Sequence, residues 1–215
     1  MALSVLSELE AQDPMRFSGE VQNLEALYHD TLTGPETYLF TGSSSIRMWK
    51  TLGQDFPGTK TVNTGFGGSQ MTDLLYFYDK LILPYRPGHI SIYEGDNDIA
   101  AGKGKGKIMR NTRKLVEKIR TDLPGSRIYL ISAKPSLSRW HLKKKYLKLN
   151  KKFLEYSLKE KDIAFINVWD IMLNEAATPR EDIFVKDGLH MNAAGYALWK
   201  EIFSKSIQNN ATNQP

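Results

Sequence analysis

The spacing of hydrophobic positions changes repeatedly along the chain, from short apolar runs to stretches with an apolar residue every three or four positions. Short β-branched and aromatic runs are typical of buried strands, and the periodic stretches are typical of amphipathic helices. The predicted strands are Thr37–Phe40, Thr61–Asn63, His89–Tyr93, Ile128–Ile131 and Ile163–Val168. The predicted helices cover about residues 21–28, 46–52, 71–83, 108–121, 142–153 and 192–203. This alternation predicts an α/β domain with a mainly parallel sheet and helices on both of its faces.

The pattern divides the chain into three parts. Residues 1–36 form an N-terminal helical arm, which is expected to pack on the outside of the sheet. Residues 37–207 contain all the predicted strands and form the main domain, since a chain of 215 residues is long enough for one good core. The polar residues 208–215 are expected to form a frayed tail.

Four polar or glycine-rich segments follow predicted strands, and we call the edge where they are expected to meet the carboxyl rim. In parallel α/β sheets the ligand site lies beyond the carboxyl ends of the strands. The four segments are Gly42–Ile46, Thr64–Ser69, Glu94–Asp98 and Asp187–His190. Their common placement predicts a functional site on this rim.

Composition limits the classes of function. The chain has no cysteine, which excludes disulfides and thiolate metal sites. Its net charge of +5 is concentrated in residues 103–107 and 143–152. In the second segment Leu142, Tyr146, Leu149 and Phe153 recur at helical spacing, so the lysines occupy the other faces of one helix. This arrangement favours a solvated helix face over a nucleic-acid site, and we predict no nucleic-acid partner.

No stretch approaches the roughly 20 apolar residues that a transmembrane helix needs. The first ten residues lack a basic region and become acidic too early for a signal peptide. A cytoplasmic location is therefore predicted. A periplasmic or secreted location is the alternative if a signal peptide has been removed.

The turn after the first strand presents a candidate nucleophile. Gly42 permits a tight change from strand to helix, and Ser44 lies on that turn. Backbone N–H groups at the start of a helix can stabilise negative charge. Taken alone, however, the serines of this turn fit helix caps better than a catalytic site.

Other segments of the rim supply the partners that a nucleophilic serine requires. Among the four histidines, His190 alone follows the last strand with a carboxylate, Asp187, three residues before it. Gly68 offers a backbone N–H group, and Asn97 offers a side-chain amide. A base, an orienting carboxylate and oxyanion donors are the components of serine-dependent acyl transfer.

The motif blocks, in this order, resemble those of the SGNH-hydrolase superfamily, the GDSL esterases and lipases: Gly42–Ile46, Asn63–Gly68, Gly95–Asp98 and Asp187–His190. The resemblance implies that Ser44 is the nucleophile, His190 the base and Asp187 its orienting partner. It also implies an oxyanion hole made of the Ser44 and Gly68 backbone N–H groups and the Asn97 amide. The implied fold is a three-layer α/β/α sandwich with a flavodoxin-like, five-stranded parallel sheet of order 2-1-3-4-5. No metal or organic cofactor is implied.

Two features depart from the family pattern. Ser43 stands where the family usually has aspartate, so the contribution of that carboxylate to the turn is missing. Ser43, Ser44 and Ser45 are consecutive, so Ser44 is chosen as the nucleophile by alignment on Gly42. Ser43 and Ser45 are interpreted as turn or cap residues.

Other polar residues near the rim receive more modest interpretations. Asp96 and Asp98 are interpreted as turn residues or as support for the catalytic groups. Trp140 and His141 either line one side of the pocket or lie in a surface loop.

The predicted function is that of a serine hydrolase that cleaves short-chain acyl esters and deacetylates a sugar or another soluble alcohol. Its partner is then a small-molecule ester. Two alternatives stay open. One is a flavodoxin-like module whose serine turn and Gly65–Gly68 loop hold a phosphate or a flavin. The other is a catalytically inactive SGNH-like binding protein, which the Ser43 departure favours.

Overall fold

Five strands form one sheet in the computed structural model, which describes residues 13–31 and 33–211, with side chains only as far as residue 206. The strands are β1 (Tyr38–Gly42), β2 (Thr61–Gly65), β3 (His89–Tyr93), β4 (Arg127–Ile131) and β5 (Ile163–Ile166). They lie in the order β2–β1–β3–β4–β5, and every neighbouring pair is parallel. The predicted flavodoxin-like strand order is confirmed.

Helices cover both faces of the sheet. The α-helices within the described residues are α1 (Ser18–Tyr28), α2 (Ser44–Arg47), α3 (Leu52–Asp55), α4 (Met71–Tyr76), α5 (Tyr78–Leu81), α6 (Asp96–Ala100), α7 (Lys105–Asp122), α8 (Lys143–Ser157) and α9 (Ala193–Ala211). Because side chains alternate along a strand, Leu39 faces the core under α1, α4, α5, α7 and α8, and Phe40 faces the core under α2, α3 and α9. The three-layer α/β/α architecture is thus confirmed.

The register of the central strands creates the carboxyl rim. Gly42, the last residue of β1, is paired with Gly65 at the end of β2 and with Tyr93 at the end of β3. The three strands therefore end at the same height. The segments that follow them start side by side on one edge of the sheet.

The predicted continuous helix over residues 71–83 is wrong. The chain instead forms α4, then α5, then a 3₁₀ turn over Leu83–Tyr85. Six hydrophobic side chains of this segment are buried: Met71, Leu74, Phe77, Tyr78, Leu81 and Ile82. A straight helix buries one stripe of its surface. Breaking the helix at Phe77 turns the second half so that all six side chains reach the core.

The predicted helix over residues 46–52 is also interrupted, since α2 ends at Arg47 and α3 begins at Leu52. Asp55 explains the break. Its carboxylate accepts hydrogen bonds from the Trp49 indole N–H at 2.7 Å and from the Thr51 hydroxyl at 2.6 Å. Such side-chain bonds offer the chain an alternative to helical hydrogen bonding.

Several element boundaries differ from the predicted ones by a few residues, and the larger differences are these. The helix α7 begins at Lys105, the strand β5 ends at Ile166, and α9 continues to Ala211. Within the described part of the chain, no helix has both the length and the apolar character needed to cross a bilayer.

The described part of the N-terminal arm packs beside the carboxyl rim. The ring of Phe17 meets that of Phe66 edge to face, with 5.1 Å between their centres. The Glu20 carboxylate accepts a hydrogen bond from the Gly67 N–H, 3.1 Å from each carboxylate oxygen. Residues 1–12 and 32 of the predicted arm and 212–215 of the predicted tail lie outside the described residues. The division of the chain into arm, domain and tail stays a prediction.

Candidate active site

The turn after β1 exposes one serine of three. Gly42 has φ +117°, and a Cβ there would overlap the carbonyl oxygen of Tyr93, so only glycine fits. The Ser43 N–H donates to that same carbonyl at 3.0 Å. Ser43 and Ser45 are buried, whereas Ser44 is half-buried and begins α2. Burial therefore distinguishes Ser44 from its neighbours, which sequence alone could not do.

The Asp187–His190 loop meets Ser44 at the rim. The His190 Nε2 atom lies 2.9 Å from the Ser44 Oγ atom, across a sequence separation of 146 residues. Its Nδ1 atom lies 2.6 Å from Asp187 Oδ2. The other carboxylate oxygen of Asp187 accepts the backbone N–H groups of Leu189 at 2.8 Å and His190 at 2.9 Å. The three predicted triad residues form one hydrogen-bonded chain.

These bonds keep the Asp187 carboxylate ionised. Burial alone would raise its pKa, but hydrogen bonds from the His190 ring and from the backbone N–H groups of His190 and Leu189 outweigh burial and lower the pKa to about 2. A charged carboxylate holds the imidazole with its proton on Nδ1, which leaves Nε2 free to accept a proton.

Two backbone donors on the rim are unoccupied. Within the described residues, neither the Ser44 N–H nor the Gly68 N–H has a hydrogen-bond acceptor. Gly68 has φ +74° and is exposed, while the Gly67 N–H is turned away towards Glu20. Free N–H groups at a half-exposed site are the kind of donor that an oxyanion requires.

The Asn97 side chain lies beside the Gly68 loop. Asn97 lies in the first turn of α6, where the sequence predicted a plain polar turn. Its Nδ2 atom donates to the Ser69 carbonyl oxygen at 2.9 Å, and its Oδ1 atom accepts from Arg139 at 2.9 Å. The Ser69 hydroxyl donates to buried Glu94 at 2.6 Å. The Gly68 loop is thus tied to the segment after β3.

The carboxylates of Asp96 and Asp98 bind neighbouring segments of the rim, in agreement with their interpretation from the sequence as turn or supporting residues. The Asp96 carboxylate accepts the Asn97 N–H at 2.8 Å and pairs with Arg139 at 3.3 Å. The Asp98 carboxylate accepts the Met71 N–H at 3.0 Å, at the start of α4. Burial raises the pKa of Asp98 to about 6.

Two residues between β4 and α8, Lys134 and Ser138, contact the rim but were not among the residues predicted from the sequence. Buried Lys134 donates to the Leu189 carbonyl oxygen, and the Ser138 N–H donates to the Gly188 carbonyl oxygen at 3.1 Å. Both contacts hold the loop that carries His190. The sequence gives no periodicity or motif for these residues, only their position after a strand.

Ser43 replaces the family's usual aspartate without a new polar contact. Its hydroxyl is buried and has no hydrogen-bond partner in the described part of the chain. The backbone of Ser43 accepts hydrogen bonds from the N–H groups of Ile46 at 2.9 Å and Arg47 at 3.2 Å. The turn is therefore held by its backbone rather than by this side chain.

Trp140 and His141 lie in a short 3₁₀ helix before α8. The Trp140 ring stacks on Trp169 at 5.9 Å, and the Lys143 ammonium lies 4.3 Å from the Trp140 ring centre. Trp140 is thus engaged in packing, and His141 is exposed. Among the described residues no group of three histidine, aspartate or glutamate side chains is arranged to hold a metal ion.

The profile of the GDSL-like Lipase/Acylhydrolase family matches residues 33–198, a range that includes Ser44, Asp187 and His190. The chain belongs to this family. It is an ester-hydrolysing enzyme, as the sequence resemblance implied. No curated protein sequence matches this GDSL-family chain.

Solved structures share the fold of this GDSL-family enzyme. A protein from Streptococcus pneumoniae, described provisionally as a platelet activating factor, is 21% identical with a TM-score of 0.79, and the match covers 96% of this chain and 98% of that one. A GDSL-like lipase from Bacteroides thetaiotaomicron is 18% identical with a TM-score of 0.75, over 92% and 98% of the two chains. A variant of the acetyl-xylooligosaccharide esterase Axe2 from Geobacillus stearothermophilus is 16% identical with a TM-score of 0.66, over 82% and 95%.

Proposed function

We propose that this enzyme hydrolyses short-chain acyl esters of soluble alcohols through an acyl-enzyme on Ser44. The observation that carries the proposal is the hydrogen-bonded chain from Ser44 Oγ to His190 Nε2, at 2.9 Å, and from His190 Nδ1 to Asp187, at 2.6 Å. Nucleophile, base and orienting carboxylate are within the contact distances that proton transfer requires.

In the first half of the proposed reaction, the Ser44 oxygen attacks the ester carbonyl carbon while its proton passes to His190 Nε2. The carbonyl oxygen becomes an oxyanion. Collapse of this intermediate breaks the bond to the alcohol oxygen, which takes the proton from His190 and leaves. The acyl group remains on Ser44. The ionised Asp187 stabilises the imidazolium that forms at each of these steps.

In the second half, water replaces the alcohol. His190 takes a proton from water, the hydroxide attacks the acyl carbon, and Ser44 leaves with that proton to restore the starting state. The oxyanion of both halves is assigned to the Ser44 and Gly68 N–H groups and the Asn97 amide. Two observations support this assignment. Neither N–H group has a hydrogen-bond acceptor in the described residues, and the Asn97 side chain donates a hydrogen bond to Ser69 in the Gly68 loop.

A small, soluble substrate agrees with the open architecture. In the described residues, no additional domain is inserted between the strands. Ser44 is half-buried rather than enclosed. The Geobacillus neighbour is an acetyl-xylooligosaccharide esterase, and we propose by analogy that an acetylated sugar is a candidate substrate here.

A chain-length series tests the proposal. Rates of hydrolysis of p-nitrophenyl acetate, butyrate and octanoate are compared, followed by acetylated xylo-oligosaccharides, each with the Ser44→Ala variant as control. The expected kcat/KM is highest for acetate, and the Ser44→Ala variant loses the activity. A kcat/KM that increases with chain length would contradict the short-chain preference.

The same experiment separates the two alternative functions. A flavin-binding module would be yellow on purification and would leave the pair Asp187 and His190 without a role. An inactive binding protein would show equal, background rates for the parent and the Ser44→Ala variant. The complete hydrogen-bonded chain favours the enzyme over both.

A further inference from the structure

Both ends of the Asn97 side-chain amide are fixed by neighbours. The Oδ1 atom accepts a hydrogen bond from Arg139 Nη1 at 2.9 Å, and the Nδ2 atom donates to the Ser69 carbonyl at 2.9 Å. A guanidinium group carries only donors. The amide atom that faces Arg139 must therefore be the oxygen, which directs the NH₂ group towards the Gly68 loop.

Arg139 is itself held in place. Its Nη1 atom lies 3.3 Å from Asp96 Oδ2, and the other oxygen of that carboxylate accepts the Asn97 N–H at 2.8 Å. The Tyr93 hydroxyl donates to Asp96 as well, at 3.2 Å. The side chain of Asp96 is 6% exposed and that of Arg139 is 21% exposed. Arg139, Asp96 and Asn97 therefore form a closed, largely buried triangle.

We propose that Arg139 is a positioning residue for the oxyanion site: it fixes the orientation of the Asn97 amide and keeps a positive charge behind it. The inference rests on the proposed role of Asn97 as an oxyanion donor. When negative charge develops on the substrate oxygen, the amide N–H is polarised towards it and the amide oxygen becomes more negative. A cation in contact with that oxygen stabilises this state more than the ground state.

Without Arg139 the amide is held at one end only, by the Ser69 carbonyl oxygen. The amide oxygen then has no cation in contact with it, and the NH₂ group is less firmly directed towards the developing oxyanion. A group that acts only in the transition state lowers kcat and leaves substrate binding unchanged when it is removed. This split separates positioning of the donor from a contact with bound substrate.

Steady-state kinetics of p-nitrophenyl acetate hydrolysis test the proposal with Arg139→Gln, Asn97→Ala and the double variant. Arg139→Gln is expected to lower kcat by about tenfold to a hundredfold, with KM within about twofold of the parent. In the Asn97→Ala background, Arg139→Gln is expected to change kcat by less than about twofold, because Arg139 acts through Asn97.

The matched control is Arg120→Gln. Arg120 is ion-paired with Asp162 and Glu160, at the amino end of β5, away from the carboxyl rim. This variant removes an arginine whose ion pairs, at 2.6 and 2.7 Å, are shorter than that of Arg139, and it is expected to retain the parent kcat. A loss of kcat equal to that of Arg139→Gln would show that a general loss of stability is responsible, and would overturn the inference.

Chemical rescue distinguishes a direct effect of the guanidinium group on kcat from a purely structural role of Arg139, because added guanidinium would not restore kcat in the second case. Guanidinium chloride at about 20 mM, well below denaturing concentrations, is added to the Arg139→Ala variant, with sodium chloride as the ionic control. Recovery of kcat by guanidinium alone is expected, and its absence would count against the proposal.

The outcomes distinguish the proposed role of Asn97 from the proposed role of Arg139. Unchanged kcat in Asn97→Ala would remove the oxyanion role of Asn97 and would overturn the inference with it, whereas the proposed function itself is tested by Ser44→Ala. A loss of kcat in Asn97→Ala with unchanged kcat in Arg139→Gln would overturn the role of Arg139 alone. Equal further losses caused by Arg139→Gln in both backgrounds would also overturn it, since Arg139 would then act independently of Asn97.

Discussion

The ammonium group of Lys134 donates a hydrogen bond of 2.5 Å to the carbonyl oxygen of Leu189, the residue before His190. Lys134 is fully buried, and burial lowers the pKa of its ammonium group to about 8, although the charges of Asp96 and Asp187 oppose the shift. A charged donor inside the protein therefore anchors the loop that carries the proposed base. The ammonium group of Lys134 loses its proton near pH 8.

Replacing Lys134 by Met is expected to lower kcat by about tenfold and to change the unfolding free energy at pH 7 only slightly. The kinetic loss follows because the His190 loop loses an anchor. For stability, loss of a hydrogen bond from a charged donor costs about 1.5–3 kcal/mol. Removing the buried charge also removes its desolvation cost. That cost is about 3 kcal/mol for a pKa lowered from 10.5 to about 8, at about 1.4 kcal/mol per pKa unit. Steady-state kinetics and urea unfolding measure the two effects.

The stability difference between the parent and Lys134→Met should depend on pH in a defined direction. Below about pH 8 the parent carries the full cost of a buried charge. Between pH 8 and the ordinary lysine pKa of 10.5, the unfolded chain binds more protons than the folded one, so the parent gains stability relative to the variant. The control, Lys148→Met on the exposed face of α8, should lack this dependence. A pH-independent difference would contradict the buried charge.

Ser44→Ala should reduce ester hydrolysis by several orders of magnitude, the scale known for loss of a triad nucleophile. Ser43→Ala and Ser45→Ala should be much milder, because both serines are buried behind Ser44. Circular dichroism and kcat/KM for p-nitrophenyl acetate measure fold and activity together. If Ser45→Ala proved as damaging as Ser44→Ala with the fold intact, the choice of nucleophile would be wrong.

Asn97→Ala should lower kcat by about 10²–10³ and leave KM nearly unchanged, because an oxyanion donor acts when negative charge develops. Asn97→Asp is the informative companion variant. It keeps an acceptor for Arg139 but offers no N–H donor, so it should be no more active than Asn97→Ala. An effect confined to KM would instead identify Asn97 as a residue that binds the ground-state substrate.

The acid limb of the kcat/KM profile should contain a single ionisation. Asp187, despite the opposing effect of burial, has a pKa of about 2 and is ionised throughout the working range. Only an imidazole, which ordinarily titrates between pH 5 and 8, then has to lose a proton to become a base. A profile measured from about pH 4 to 7, below the range in which Lys134 loses its charge, should rise with pH, and His190→Ala should abolish the rise.

The hydrogen bonds that Asp187 accepts affect stability in the same direction as Lys134 but in a lower pH range, because in both cases the unfolded chain binds more protons than the folded one. The lowered pKa of Asp187 stabilises the folded loop above about pH 4, and that contribution is lost as the pH falls towards 2. A second ionisation near pH 4 in the activity profile would show that the carboxylate titrates independently of its hydrogen bonds.

The strands could be predicted from the sequence because a short apolar run is local information. The candidate site residues were instead predicted from motif blocks in the order of the family, and the structure brings Ser44 and His190 together although 146 residues separate them. The strand order came from the family resemblance, since five strand patterns do not by themselves fix their neighbours. The continuity of residues 71–83 was wrong because burial of six side chains overrode the helical spacing.

Lys134 and Arg139 could not be predicted, for a physical reason. Their roles depend on contacts with Leu189 and Asn97, residues on other segments of the rim. A lysine and an arginine in a polar segment are ordinary surface residues until the fold brings a carbonyl oxygen or an amide within reach. Their function is a property of the assembled loops.

Asp187 and His190 hold each other within four consecutive residues, through side chain and backbone alike. The proposed proton-transfer pair is therefore a unit whose mutual contacts can form as soon as its own loop closes. Ser44 follows the first strand, at the start of α2, and reaches this pair only when the two ends of the domain meet. During refolding, recovery of esterase activity should consequently lag behind recovery of helical content. The delay measures how long the Ser44–His190 contact, with its sequence separation of 146 residues, takes to form.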